Sequence, residues 1–368
     1  MKKRLLHLQL LPLMSGVQRF SLHLLEGLPE DEYEIFVAGK AGGEFVAAVK
    51  ERGWQFIPIY TFRHAISPLD LLSFIEIYWL LKRHKIDIIH TNSSKPGLLG
   101  RLAARLAKVP LILFTSHGTA FQPHQKQIVQ KFYEQMERLG HWAGDYAVFV
   151  NNSDRIKSLK LGLLPREKAF TIYNAQKELR LPPTAKKDEE NFIIGSTIRF
   201  STQKNVINLI TGICKACRLC PTLKFIILGD GEHYALCKSI VESYRLSERI
   251  LLPGWDSEVS PWLAVFDAFI LYSRWEAMPF SIIEAMQAAL PVIGSDIPSI
   301  RELVDSEVGW ILPLDDERAF IQGLTRIASD KEIARQKGQK ALKKVKELCE
   351  YGRMVDSYRA LYEGETPS

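Results

Sequence analysis

The chain has 368 residues, of which 46% are hydrophobic and 24% charged, and its formal net charge is +6. This balance is typical of a soluble globular protein and excludes a disordered, collagen-like or membrane-embedded chain, while the length predicts about two domains. The five cysteines are an odd number. They do not indicate an extracellular disulfide framework, so we expect a reducing compartment, the cytoplasm.

The first twenty residues have some features of a signal peptide, because three cations precede the apolar run Leu5–Met14. Polar residues interrupt that run and no small-x-small cleavage site follows it, so we expect a first buried strand here. The most apolar later stretch, Leu69–Leu81, is thirteen residues long and contains Asp70 and Glu76. It is too short and too polar to span a bilayer.

Short apolar runs alternate with longer segments of helical spacing along the whole chain. In the first half the predicted strands are Leu5–Leu10, Tyr33–Val37, Gln55–Ile59, Asp87–Thr91, Leu111–Thr115, Tyr146–Val150 and Ala169–Tyr173. In the second half they are Phe192–Ile198, Lys224–Leu228, Ile250–Leu252, Ala268–Tyr272, Pro291–Ile293 and Trp310–Leu312. Such alternation predicts parallel sheets with helices on both faces.

The expected fold is therefore α/β, with two doubly wound Rossmann-like domains. We expect an N-terminal domain over 1–175, a linker over 176–191, a second domain over 192–345 and a final helical segment over 346–368. The last helices, about Lys331–Glu363, have no partner strand, so they could cap the second domain or cross back onto the first. Open parallel sheets bind ligands beyond the carboxyl ends of their strands, so two facing domains would hold a ligand in a central cleft.

One candidate site follows a strand of the second half, in the segment YSRWEAMPFSIIEAMQAALP. Its loop carries Glu276, and the helix that begins near Phe280 carries Glu284. The backbone N–H groups near Phe280 and Ser281 would suit a phosphate, and a carboxylate beside that phosphate could bind sugar hydroxyls. The alternative interpretation is a solvated loop carboxylate and a helix glutamate of the first turn.

A second candidate lies in the segment GSTIRFSTQKN, where a buried strand delivers Arg199 to a loop and Lys204 opens the next helix. Two cations at such a junction can hold a diphosphate, the arginine as a planar fork and the lysine as a mobile point charge. The alternative is that Arg199, on a loop, is a solvated surface residue.

The first half contributes weaker signals. Gly16 follows the first strand and would let the backbone approach a ligand at a helix start, although no full G-x-G-x-x-G pattern is present. His90 and His117 each stand at the end of a strand. They could be metal ligands, catalytic groups or substrate contacts, and His117, which precedes a glycine, is the better candidate for a functional role.

Cys214, Cys217 and Cys220 imitate part of an iron–sulfur ligand run. On a helix this spacing places the thiols along one face, which is more typical of a small apolar stripe packed on a sheet. A fourth ligand is missing, and no Asp-x-Asp pair follows a strand. We therefore expect neither a metal nor another cofactor.

Together these segments resemble the retaining glycosyltransferases of family 4, which have the two-domain GT-B fold. The segments that carry the resemblance are the Gly16 loop, His90–Arg105, Ser116–Gly118, Ile172–Asn174, Ile194–Lys204, Leu228–Gly231, Leu252–Trp255 and Ser273–Asp296. The resemblance implies transfer of a sugar from a nucleotide diphosphate donor, with UDP favoured, to a hydroxyl of a glycan or lipid-linked acceptor in cell-surface polysaccharide synthesis. It also implies that no metal is needed.

The resemblance assigns roles by position. His117, Glu276, Arg199 and Lys204 would be the catalytic group, with His117 over the reacting sugar. The implied donor contacts are Arg199, Lys204, Gly254, Glu276, Phe280, Ser281 and Glu284. Glu276 would bind donor hydroxyls, Glu284 the ribose and Gly254–Glu258 the base, while Gly16 would lie on the acceptor side. The chain departs from the family where Ala277, Ala289 and Ser15 replace frequent glycines. Ala277 and Ala289 could narrow the donor pocket, which puts the choice of donor in question.

The charge is unevenly distributed, because residues 1–178 hold 24 Lys/Arg against 16 Asp/Glu and the remainder 24 against 26. A basic first half favours an anionic partner. The segments Leu69–Lys85 and Gln122–Trp142 combine aromatics and aliphatics with Lys and His, which fits peripheral attachment to an anionic membrane on its inner face. Ordinary helices packed on a sheet are the alternative.

Two other functions remain open at this point: a sugar-nucleotide 2-epimerase of the same architecture, and a catalytically silent partner subunit. The dispersed positive charge and the lack of an aromatic-basic recognition motif argue against nucleic-acid binding.

Overall fold

The computed structural model describes residues 2–63, 65, 67–119, 125–182 and 188–367. The start of the predicted Gln122–Trp142 segment and residues 183–187 of the predicted linker lie outside these ranges. The chain forms two compact units: the first comprises Met1–Gln176 and Tyr351–Ser368, and the second Lys177–Glu350.

The first unit contains seven parallel strands in the order β3-β2-β1-β4-β5-β6-β7. The strands are β1 (Lys3–Leu8), β2 (Tyr33–Gly39), β3 (Gln55–Pro58), β4 (Ile88–Asn92), β5 (Leu111–Ser116), β6 (Tyr146–Phe149) and β7 (Ala169–Thr171). The helices are α1 (Gly16–Glu26), α2 (Gly43–Glu51), α3 (Asp70–His84), α4 (Ser94–Ala107), α5 (Gln127–Ala143), α6 (Asn152–Lys160) and the C-terminal α14 (Tyr351–Glu363), with a 3₁₀ turn at Arg166–Lys168.

The second unit contains six parallel strands in the order β10-β9-β8-β11-β12-β13. The strands are β8 (Phe192–Thr197), β9 (Leu223–Leu228), β10 (Ile250–Gly254), β11 (Ala268–Leu271), β12 (Val292–Ser295) and β13 (Gly309–Leu312). The helices are α7 (Val206–Leu219), α8 (Tyr234–Ser243), α9 (Ser260–Val265), α10 (Phe280–Gln287), α11 (Pro298–Leu303), α12 (Glu317–Ile327) and α13 (Lys331–Leu348).

The predicted α/β fold with two doubly wound sheets is confirmed. Most residues of the central strands are buried, because helices cover both faces of a parallel sheet. Several predicted bounds differ from the observed ones by a few residues, and two of these differences have an identifiable cause. β1 begins at Lys3, two residues earlier than the apolar run, because Arg4 pairs with Glu34 of β2 and its N–H donates to Asp87. α7 begins at Val206, because Asn205 takes a left-handed backbone conformation and leaves Lys204 in the preceding turn.

The last two helices belong to different units. α13 packs against α10 and β13 of the second unit, and Gly338 brings its backbone against the Ala289 carbonyl. α14 packs on the first sheet and buries Met354, Tyr358 and Leu361 there. Both alternatives that the sequence left for the last helices therefore occur: α13 packs on the second unit and α14 on the first.

Within the described ranges, none of the helices combines the length and the apolar content needed to span a bilayer.

Candidate active site

The strand order of the second sheet reverses between β8 and β11, which are neighbours at its centre. From β8 the strands continue outward to β9 and β10 on one side, and from β11 to β12 and β13 on the other. The loops after these two strands diverge there and leave a crevice, the place where open parallel sheets bind ligands. The loop after β8 carries Arg199 and Lys204, and the loop after β11 carries Glu276. The topology thus brings together three predicted site residues that come from segments about seventy positions apart.

Lys204 and Glu276 form an ion pair, with 2.5 Å between Nζ and Oε1. The pair is largely buried, since only 17% of the lysine side chain and 7% of the glutamate side chain are exposed. The two loops are tied together beside it. The Arg274 N–H donates to the Gln203 carbonyl at 2.9 Å, and Gln203 Nε2 donates to the Trp275 carbonyl at 3.0 Å. The solvated interpretation of Glu276 is therefore wrong.

Arg199 differs from Lys204 in its surroundings. Its side chain is exposed, and it makes no hydrogen bond or ion pair with another described residue. The guanidinium fork is consequently able to turn toward an anion at the crevice, whereas Lys204 is already held in place by Glu276.

α10 starts at the same edge of the sheet. Pro279 is its N-cap and has no side chain that could accept from the first N–H groups, and the first turn holds no acidic residue. The backbone N–H groups near Phe280 and Ser281, at the start of the helix, therefore favour an anion. Glu284 is the fifth residue of α10, beyond its first turn, and is buried, so the interpretation as a first-turn glutamate is also wrong.

Ser273 is a buried polar residue beside these loops that the sequence did not single out. It follows β11, is fully buried, and its hydroxyl has no hydrogen-bond partner among the described residues. Its carbonyl accepts from the Ser295 hydroxyl at 2.6 Å. A serine directly after a parallel strand was the available signal, but that position is too common to stand out without the structure.

The loops after β9 and β10 complete this edge of the second sheet. Gly229 has a φ of +129°, and a Cβ there would lie 1.8 Å from the Ile198 carbonyl oxygen, so only glycine allows this approach to the loop after β8. The Gly229 N–H donates to the Gly254 carbonyl at 2.8 Å. Gly254, the predicted contact for the base, has a φ of +93° and open space around its Cα, with an exposed Trp255 next to it.

Ala289 and Ala277, which stand where the family often has glycine, lie in different surroundings. Ala289 has a φ of +55°, a left-handed conformation that glycine adopts more readily. Its carbonyl faces Gly338 of α13, away from the loops described above. Ala277 lies next to Glu276, partly buried.

The first unit holds the other two predicted site residues. Gly16 is the exposed first residue of α1, and the preceding Ser15 makes no side-chain cap. His117 follows β5, and its Nε2 lies 3.1 Å from Asn92 Oδ1 at the end of β4. Its ring also contacts the Phe20 ring of α1, with 4.8 Å between centroids.

His117 is neutral at physiological pH, because burial lowers its pKa from 6.5 to about 3. Asn92 Oδ1 can only accept, so the Nε2 of His117 carries the proton and donates it. The Nδ1 lone pair remains as an acceptor. This imidazole can therefore orient a hydroxyl group by hydrogen bonding, but it does not titrate near pH 7.

Buried neutral histidines make the first unit sensitive to acid. Burial lowers the pKa of His7 to about 3 and holds the pKa of His90 and His141 well below 6.5, as it does for His117. Below pH 6.5 the unfolded chain therefore binds more protons than the folded unit, so stability is lost as the pH falls toward 3.

Lowering the pH from 7.5 to 6 should cost the first unit about 3 kcal/mol, or roughly 0.8 kcal/mol for each of the four histidines. In calorimetry we expect the unfolding transition of the first unit to shift more than that of the second, which holds one of the nine histidines, His233. Equal shifts of both transitions would show that the buried histidines of the first unit are not the cause of this pH dependence.

The cysteine run is part of the core. Cys214 and Cys217 are buried in α7, and burial raises the pKa of these thiols to about 11 and about 12; Cys220 caps the helix and is partly exposed. Among the described residues, no group of three or more His, Cys, Asp or Glu side chains is arranged to hold a metal ion.

Two family models match the chain. "Glycosyltransferase Family 4" matches residues 14–175, and "Glycosyl transferases group 1" matches residues 179–344. The chain is 32% identical over 349 residues to the UDP-Gal:alpha-D-GlcNAc-diphosphoundecaprenol alpha-1,3-galactosyltransferase of Escherichia coli. The alignment covers 90% of this chain and 89% of that protein.

Two solved structures share the fold over nearly the whole chain. Anabaena Alr3699/HepE in complex with UDP and glucose has a TM-score of 0.80 at 16% identity and covers 98% of this chain and 100% of that one. Sucrose-phosphate synthase from Thermosynechococcus elongatus has a TM-score of 0.83 at 16% identity and covers 99% of each. At this level of identity they support the fold alone.

Proposed function

The chain belongs to glycosyltransferase family 4, and from that premise we propose that it transfers a sugar, with retention, from a UDP-sugar to a hydroxyl of a lipid-linked glycan. The product would be an intermediate of a cell-surface polysaccharide. The relative from E. coli is named for a UDP-sugar donor and a diphosphoundecaprenol-linked acceptor, which supports both halves of the proposal. The comparisons do not support the sugar-nucleotide 2-epimerase.

The observation that carries the proposal is the Lys204–Glu276 pair at the switch point of the second sheet. An ammonium group has three N–H donors, so Lys204 can keep its bond to Glu276 and still donate to a diphosphate oxygen. Glu276 Oε1 is engaged by the lysine, and its second oxygen is left to accept from sugar hydroxyls. One pair thus holds both the leaving group and the transferred sugar.

The transfer needs stabilisation of the negative charge that grows on the diphosphate as its bond to the sugar breaks. Lys204, the mobile Arg199 and the N–H groups at Phe280 and Ser281 supply it. The acceptor oxygen forms its bond to the anomeric carbon on the face from which UDP departs, and its proton passes to the departing phosphate oxygen. His117, which is neutral, orients a hydroxyl group and takes no proton.

We propose that this positive charge takes the place of a metal ion. Nucleotide release from UDP-, GDP- and ADP-sugars, measured in EDTA with and without a lipid-linked glycan acceptor, tests both statements. We expect release from UDP-sugars only, increased by acceptor and abolished in Glu276→Ala. Loss of turnover in EDTA that Mg²⁺ restores would contradict metal independence. Calorimetry that detected no binding of any donor would favour the silent partner subunit.

The outer helices of the first unit support a membrane-bound acceptor. α3 and α5 lie on either side of α4. Their large exposed apolar side chains are Leu71, Leu72, Ile75 and Trp79 on α3, Leu106 on α4, and Ile128, Val129, Phe132, Leu139 and Trp142 on α5. Residues 70–85, 94–108 and 126–143 together hold ten Lys/Arg and four Asp/Glu.

Apolar and aromatic side chains beside an excess of cations fit the interface of an anionic bilayer. We therefore propose that these helices hold the enzyme on the cytoplasmic face of a membrane, where a lipid-linked acceptor is presented. All five cysteines are free thiols.

Replacing Trp79 and Trp142 together with serine should weaken binding to phosphatidylglycerol-containing vesicles at least tenfold, because each indole is about two-thirds exposed and would enter the interface. Co-sedimentation at low salt measures it. Trp255→Ser is the matched control, since this indole is equally exposed but belongs to the second unit. Equal binding by all three proteins would remove the membrane from the proposal.

A further inference from the structure

Two tyrosines of α14 end in a buried group of polar side chains inside the first unit. This tyrosine–histidine cluster comprises His7, Ser21, His90, Thr115, Tyr358 and Tyr362, all of which are buried. Its members come from β1, α1, β4, β5 and α14, and the two tyrosines lie more than 200 positions from their partners. A buried polar group is costly unless its hydrogen bonds are made, so the pattern of these bonds is constrained.

The bonds at one end of the cluster fix the proton on His7. The Ser21 hydroxyl donates to the Val17 carbonyl at 3.2 Å in the first turns of α1. Its oxygen lies 3.3 Å from His7 Nδ1, which must therefore be the donor. A neutral imidazole carries one proton, so His7 Nε2 accepts, and its partner 3.3 Å away is the Tyr362 hydroxyl.

The remaining bonds continue in the same direction. Tyr362 gives its proton to His7, so its oxygen accepts from His90 Nδ1 at 2.6 Å. His90 Nε2 is then the acceptor for the Thr115 hydroxyl at 2.7 Å, and the Thr115 oxygen accepts from Tyr358 at 3.1 Å. The opposite direction would leave the Tyr358 proton without an acceptor among the described residues.

The cluster touches the surroundings of His117 at two points. His90 is two residues before Asn92, which accepts from His117 Nε2 at the end of the same strand. The Phe20 ring packs against His117 and also against Tyr358, where the ring centroids are 5.4 Å apart. The imidazole of His117 thus contacts two residues, Asn92 and Phe20, that lie next to members of the cluster.

We propose that Tyr358 and Tyr362 are positioning residues that set the orientation of His117 for sugar transfer. The inference rests on the proposed function, because it takes the role of His117 from there. The C-terminal helix would then contribute to the reaction without touching a substrate. The two hydroxyls act through a chain of hydrogen bonds in which all donors point the same way and each proton has an acceptor.

The direction of the chain can be read from the protein alone. In ¹⁵N-histidine NMR spectra of the intact protein we expect His7 and His90 protonated on Nδ1, and His117 on Nε2. A proton on Nε2 of His90 would overturn the proposal, because the chain would then run the other way. This test does not depend on activity, so its outcome is distinct from the success or failure of the proposed function.

The positioning effect is tested with Tyr362→Phe. We expect the His117 resonances to shift, kcat for transfer to fall about tenfold, and the donor Kd measured by calorimetry to stay unchanged. Tyr358→Phe should act in the same way. Tyr351→Phe is the matched control: it removes a hydroxyl of the same helix, which donates to the His23 carbonyl at 2.8 Å and is not part of the cluster.

If the tyrosines had only a structural role, all three variants would lose stability, but kcat and the His117 resonances would be the same in Tyr358→Phe and Tyr362→Phe as in the control Tyr351→Phe. That result would overturn the proposal. His117→Ala separates the two claims. If this variant transfers sugar normally, the role of His117 in the proposed function is wrong, whatever the resonances show.

Discussion

Lys204→Ala is expected to lower kcat/KM for the donor by roughly 100- to 1000-fold, the usual effect of removing one preorganised charge from the leaving-group side of a reaction. Two losses combine. The diphosphate loses a cation held at a fixed place, and Glu276, of which only 7% is exposed, is left with an uncompensated charge. Steady-state kinetics and donor calorimetry measure the first loss, and thermal unfolding measures the second.

The double variant Lys204→Ala/Glu276→Gln separates these losses, because it also removes the unpaired carboxylate. We expect it to regain most of the lost stability and none of the activity. Lys215→Ala is the matched control, since Lys215 on α7 also pairs with a glutamate, Glu317, at 2.6 Å, but at the exposed surface. Such pairs contribute little. Normal donor turnover in Lys204→Ala would show that the diphosphate lies elsewhere.

Deletion of residues 351–368 is expected to prevent the first unit from folding. Five side chains of α14 are buried against it: Met354, Val355, Tyr358, Leu361 and Tyr362. At roughly 1.5–3 kcal/mol for each buried side chain, their loss amounts to about 10 kcal/mol, which is comparable with the whole stability of a domain. The deletion would also leave His7 and His90 without their tyrosine partners in the core.

Calorimetry and limited proteolysis check this expectation. The truncated chain should retain the unfolding transition of the second unit and lose that of the first, which proteases would then digest. Deletion of residues 366–368 alone is the control and should change neither transition. A truncated chain with both transitions intact would show that α14 is dispensable for the fold, and the positioning role of its tyrosines would then lose its basis.

Much of the fold could be predicted because its signals are local. A buried parallel strand reads as a short apolar run and a helix as an amphipathic segment, whatever their partners are. All thirteen predicted strands are present, with bounds that shift where side-chain partners extend a strand, as Arg4 does for β1. The final segment was ambiguous because the residues that bury Tyr358 and Tyr362 are distant in the chain.

The candidate site was predictable to a lesser extent. Arg199, Lys204 and Glu276 could be selected because each follows an apolar strand, and the carboxyl ends of parallel strands meet at one edge. Their exposure could not be predicted, since the same loop sequence can leave a side chain solvated, as for Arg199, or bury it, as for Glu276. Ser273 carried no distinguishing signal, and its unpartnered hydroxyl is visible only once its neighbours are in place.

The sequence by itself determined the class of fold, the order of its elements and the family, because periodicity and short motifs depend on residues close together in the chain. The tertiary structure decided which groups interact. It paired Lys204 with Glu276 across 72 positions and joined Tyr362 to His7 across 355. Burial and the protonation of an imidazole depend on all the atoms around a group, and for these residues the nearest atoms come from distant strands and helices.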